Sequence, residues 1–145
     1  MYKHILIATD GSELAQKAVG QGLTLARALG AKATAITVTE PWGATATGEV
    51  MIAFPIDEYE KSVASSAATT LSGVADVARK VGIPCDTLHV KDRFPAEGIV
   101  ETAKQLGCDL IVMASHGRRG IKRMLLGSQA NQVVTLSEVP VLICR

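Results

Sequence analysis

Apolar positions fall along this chain in two alternating rhythms. Short runs of apolar and β-branched residues, each bounded by polar or turn residues, are separated by longer stretches in which apolar positions recur every three or four residues. The first kind predicts strands over residues 4–9 (HILIAT), 32–38 (KATAITV), 84–90 (PCDTLHV), 109–115 (DLIVMAS) and 139–144 (VPVLIC). The fourth run is apolar almost without interruption, as expected of a parallel strand covered on both faces. The second kind predicts four helices. Leu14, Ala18, Gly22, Leu25 and Leu29 form the apolar stripe of the first, with Asp10 and Glu13 as a capping box and Gly30 as its stop. Tyr59, Val63, Ala67, Leu71, Val74, Ala78 and Val81 form that of the second, over about 57–81. Residues 95–107 start on Pro95 and end on Gly107. Residues 128–138 make the last helix.

The order β-α-β-α-β-α-β-α-β predicts an α/β fold, a doubly wound five-stranded parallel sheet with helices on both faces. The 145 residues suit a single domain spanning 1–145. In such a sheet ligands bind beyond the carboxyl ends of the strands, where the strand order reverses. Three loops leave those ends: 9–12, 37–40 and 114–128. The connection over 39–57 is long for a compact domain.

Composition removes several functions. Fifteen Lys and Arg against fourteen Asp and Glu give a net charge of +1, and aromatics make up 3%, so no broad nucleic-acid-binding face is expected. No window of ~18 apolar residues suggests a membrane span, and the short apolar run at the N-terminus, followed at once by Asp10 and Glu13, does not read as a signal peptide. Cys85, Cys108 and Cys144 are widely spaced and odd in number, as expected of reduced thiols in a cytoplasmic protein. His4, His89 and His116 share no metal-ligand spacing, and no metal site is assigned.

The chemistry concentrates in 114–128, ASHGRRGIKRMLLGS. Gly127 and Ser128 stand where the fourth helix begins, and a helix N-terminus attracts anions through its free N–H groups. Ser128 offers its hydroxyl either as a helix cap or to a phosphate oxygen. Gly117 and Gly120 allow close backbone approach. Arg118, Arg119, Lys122 and Arg123 place four cations in six positions, either screening phosphate charge or forming a solvated face. The G-x-x-x-x-G-K-[ST] phosphate loop is absent, as is G-x-G-x-x-G after the first strand. MASHG lacks the first glycine of a nucleophile elbow, and no histidine follows His116 to complete a triad. No catalytic residue is assigned.

Gly117, nine residues, then Gly127-Ser128 closely resembles the nucleotide loop of the universal stress protein family, G-x2-G-x9-G-[ST], and ILIATDGSE resembles that family's opening pattern. The resemblance spans the whole chain, with one departure: the first motif glycine is Ala114. It implies a Rossmann-like fold of the adenine nucleotide alpha hydrolase-like type and an ATP-binding, nucleotide-responsive regulatory or stress-response protein. Thr9 would belong to the nucleotide-binding residues, Asp10 would meet the ribose or help hold an ion, Val38 would lie against the base, and Met113 would pack near base or ribose. Ala114, Ser115, His116 and Gly117 would pass beside ribose and phosphates, and Gly127, Ser128 and Gln129 would hold the phosphates. Mg²⁺ or Mn²⁺ would accompany ATP. The last strand, 139–144, would pair across a homodimer. Three alternatives stay open: a slow ATPase, a dimeric interaction module without nucleotide, and a flavodoxin-like carrier. The last would need aromatic stacking that this sequence scarcely supplies.

Overall fold

The computed structural model describes residues 1–44, 55–117 and 126–145. Along the chain it forms β1 (His4–Ala8), α1 (Glu13–Leu29), β2 (Lys32–Thr39), α2 (Ile56–Val81), β3 (Cys85–Lys91), α3 (Pro95–Leu106), β4 (Leu110–Ala114), α4 (Ser128–Leu136) and β5 (Val141–Cys144). The strands make one parallel sheet in the order β3-β2-β1-β4-β5. The chain therefore winds outward from β1 through β2 to β3, returns to the other side of β1 as β4, and winds outward again. The reversal falls between β1 and β4, so the loops leaving these two strands diverge and open a crevice.

Side chains alternate across β1, and each face of the sheet has its own core. Ile5 and Ile7 pack with Ala15, Val19 and Leu23 of α1 and Val74 and Ala78 of α2. Leu6 joins Ile36, Ile111 and Met113 against Ile99 and Ala103 of α3 and Val133 of α4 on the other face. Every residue of β4 is buried, as expected of an inner parallel strand. Asp109 ties β4 to β1 at the opposite end from the crevice. Its carboxylate accepts from the backbone N–H groups of Lys3 and His4, which hold its pKa below the ordinary carboxylate value.

Two features of α1 correct the sequence reading. The cap is Ser12, whose hydroxyl accepts from the N–H of Ala15 at 3.3 Å, and not an Asp10–Glu13 box. Asp10 instead turns back on the loop and accepts from the N–H of Ser12 at 2.9 Å. The buried face is Ala15, Ala18, Val19, Gly22, Leu23 and Ala26, while Leu14 and Leu25 sit at its margins and Leu29 is exposed. The reason is space. A β-carbon at Gly22 would fall 2.9 Å from the Ile7 side chain, so α1 approaches the sheet closely there and its buried face is mostly small residues, with Leu23 the one leucine on it. Elsewhere the helix ends follow expectation: Gly30 and Gly107 close α1 and α3 in the left-handed conformation, at φ of 64° and 67°. Of the long connection, 45–54 lie outside the described residues.

Candidate functional site

The crevice is a cavity of about 450 Å³, within the usual range for small-molecule sites. The loop after β1 forms one wall. The Thr9 N–H extends the ladder to the Ile36 carbonyl at 3.0 Å, Gly11 turns with φ 80°, and the N–H of Gly11 donates to the Thr9 hydroxyl at 3.2 Å. This turn holds Asp10 facing the loop that leaves β4. The two loops touch: a β-carbon on Gly117 would stand 2.7 Å from Asp10 Oδ2.

The second wall is the junction of β4 and α4. The N–H of Ser115 donates to the Cys144 carbonyl, and the Gly127 N–H donates to the Ser115 carbonyl, both at 2.7 Å. The second bond joins the two ends of the glycine-spaced segment, and the first ties the end of β4 to β5. Gly127, not Ser128, is the cap residue of α4, and Ser128 is its first helical residue. Among the described residues no side chain caps this end, so the first-turn N–H groups lack the partner that a capping side chain would bring. Gly127 has φ −66°, so glycine is needed there for approach and not for a left-handed turn. Its missing β-carbon would lie 3.1 Å from the Ser115 carbonyl oxygen.

Ala114 ends β4, and among the described residues Asp92 is the one non-glycine with positive φ. The alanine that replaces the first motif glycine is therefore unstrained, and its methyl belongs to the core beneath α1. Ser115 is buried, and its hydroxyl lies 3.0 Å from His116 Nδ1. His116 Nε2 and Gln129 Oε1 are both buried without a hydrogen-bond partner among the described residues. Two such orphan atoms beside one uncapped helix end are costly unless something polar completes them.

The third wall is apolar. Ile36 and Val38 from β2, Pro95 and Ile99 from α3, and Met113 from β4 line it. Glu40 stands at its rim. Its carbonyl accepts from the Tyr59 hydroxyl at 2.6 Å, which ties the start of α2 to the end of β2. Burial, together with Glu40 and Asp92, raises the Tyr59 pKa, so the phenol remains a donor.

All eleven residues named from the sequence line this cavity: Thr9, Asp10, Val38, Met113, Ala114, Ser115, His116, Gly117, Gly127, Ser128 and Gln129. Arg118, Arg119, Gly120, Lys122 and Arg123 lie outside the described residues. Sequence reasoning missed Ile36, Glu40, Pro95 and Ile99, and the small residues Ala8, Ala15 and Ala130. Ile36 was within reach, since it shares a strand face with Val38 two positions on. Pro95 and Ile99 carry no motif.

The sequence model of the Universal stress protein family matches residues 1–145. This chain belongs to that family. A universal stress protein of Bacillus subtilis is 32% identical, over 100% of both chains. One from Methanocaldococcus jannaschii is 34% identical, over 100% of this chain and 83% of its own. Among solved structures, another M. jannaschii universal stress protein, whose biochemical function was assigned from its structure, superposes with a TM-score of 0.82 at 28% identity, covering 99% of this chain and 96% of that one. A universal stress protein solved in complex with cAMP gives a TM-score of 0.72 at 25% identity, covering 99% and 97%. The Rossmann-like architecture of universal stress proteins is thus the architecture of this chain.

Proposed function

We propose that this universal stress protein binds an adenine nucleotide, ATP, in the crevice between β1 and β4, and that occupancy regulates its association with partners. The observation that carries the reading is the joining, in one cavity, of an apolar slot to an uncapped helix N-terminus. A purine is flat and mostly apolar, and phosphates are anionic, so the two ends match the two halves of a nucleotide. The residues present fit the ligand. Gly117 and Gly127 leave room that a β-carbon would fill, His116 Nε2 can donate to a phosphate oxygen, and Gln129 Oε1 can accept from a hydroxyl or a water. The cAMP complex of a relative supports the adenine class. Asp10 is the carboxylate nearest the glycine end, and Mg²⁺ or Mn²⁺ would take its other ligands from phosphate and water. Among the described residues no cluster of three His, Cys, Asp or Glu forms a protein cage.

Equilibrium dialysis with ATP, with and without Mg²⁺, tests this reading, with AMP and cAMP as competitors. Saturation at micromolar to low-millimolar ATP is the expected result; its absence for all three nucleotides refutes the reading.

The same proposal includes a homodimer through β5. This strand is at the sheet edge, and Leu142 is 40% exposed. An apolar edge strand is a template for pairing with a second copy. Sedimentation should give a dimer at micromolar concentration, and Leu142→Glu should shift it toward monomer while leaving the melting temperature within a few degrees. Among the described residues no helix is long and apolar enough to cross a membrane.

A further inference from the structure

Gly98 sits one turn inside α3, where alanine would make a better helix. It is buried, and its place is explained by what it touches. A β-carbon there would fall 2.8 Å from Val38 Cγ1, 3.2 Å from Val38 Cγ2 and 3.2 Å from Arg93 Cβ. Helical glycines of this chain are not uniformly in contact: β-carbons at Gly20 and Gly73 would meet nothing within 4 Å. Gly22 is also tight, but against Ile7 and Val112, neither of which lines the cavity. Val38 does line it, as do Pro95 and Ile99, which flank Gly98 on the same helix.

We infer that Gly98 sets the width of the apolar slot, and so is a positioning residue for the base although it does not line the cavity itself. The inference rests on the nucleotide reading above for its ligand, and on the Gly98–Val38 approach for its mechanism. Val38 is β-branched and stiff about χ1. A methyl group at position 98 must therefore push the valine into the slot, or move α3 outward with Pro95 and Ile99. Either displacement changes the space in which a flat base would lie.

The test is a double-mutant cycle on the full chain, reading ATP affinity for wild type, Gly98→Ala, Val38→Ala and the pair, with Gly73→Ala as control. Gly98→Ala should weaken ATP binding about tenfold, roughly 1.4 kcal/mol, in a chain that is still folded at the assay temperature. In the Val38→Ala background, where the methyl group has room, the same substitution should have less than a twofold effect. Gly73→Ala should change nothing. An affinity within twofold of wild type for Gly98→Ala, or an equal loss in both backgrounds, overturns the inference. Should Gly98→Ala not fold, Val38→Ile enlarges the same contact from the strand side and takes its place. Methyl NMR of the ligand-free chain separates this inference from the nucleotide reading. If wild type binds no ATP, that reading fails, and Gly98 is judged by the spectrum alone. Displaced Val38 and Ile99 resonances in Gly98→Ala uphold the control of slot width, and unmoved ones overturn it.

Discussion

The two ends of the cavity are built by opposite means. At the glycine end, main chain does the shaping: Gly117 lies against Asp10, Gly127 donates to the Ser115 carbonyl, and α4 presents an uncapped first turn. At the apolar end, side chains do it, and several of them serve the core as well. Ile36, Ile99 and Met113 line the cavity and also belong to the hydrophobic cluster beneath α3 and α4. The difference teaches where binding and stability can be separated. A substitution at the glycine end should remove the ligand and spare the fold. One at the apolar end should disturb both, because the same atoms fill the interior and form the wall.

The largest expected effect is therefore a stability effect at the apolar end. Ile36→Ala, at a residue that is 0% exposed, should cost about 2–5 kcal/mol in urea unfolding. A loss under about 1 kcal/mol would break the comparison, since it would mean that this wall is independent of the core.

Next in size is Gly117→Val at the other end. Its β-carbon would meet the Asp10 carboxylate, so ATP affinity should fall about a hundredfold, roughly 2.7 kcal/mol. Unfolding free energy should change by less than about 1 kcal/mol. A large stability loss would show that the glycine end is also structural.

Asp10→Asn sharpens the same point. Asparagine keeps an acceptor for the Ser12 N–H, so stability should stay within about 0.5 kcal/mol. Loss of the charge should reduce ATP affinity about tenfold in the presence of Mg²⁺, measured by calorimetry against wild type.

The smallest effect is alkaline and belongs to the core behind the apolar wall, at the end of β4 away from the cavity. Cys108 packs in the cluster with Ile99 and Met113, and burial pushes its thiol from 9.0 up to about 11. The folded state thus holds this proton more tightly than the unfolded chain. The stability linked to it is complete below pH 9 and declines as pH rises toward 11. Cys108→Ala should flatten that decline in urea titrations between pH 8 and 11. Identical profiles for the two proteins would assign the decline to other groups.

Much of the glycine end could be read from sequence because its parts are close neighbours along the chain. Gly117 and Gly127-Ser128 are separated by nine residues, and the Gly127–Ser115 bond that closes the segment runs between its own ends. The apolar end was only half legible. Val38 and Met113 could be named through the family resemblance, but Pro95 and Ile99 could not, because helix–strand contact leaves no motif. Local chemistry could also mislead. Asp10 and Glu13 have capping-box spacing, yet Ser12 takes the cap once the turn at Gly11 is formed.

What the sequence by itself determined is the set of elements, their alternating order and the place of the glycine-spaced turn before α4. Those follow from local physics: period-two and period-3.6 patterning, glycine stops and a free helix end. What only the tertiary structure decided is which distant residues share a wall. Val38 and Gly98, sixty positions apart, meet because the crossovers set α3 against β2 and because one residue lacks a β-carbon. Such a contact depends on how closely two packed elements approach, and no pattern along a single chain encodes that distance.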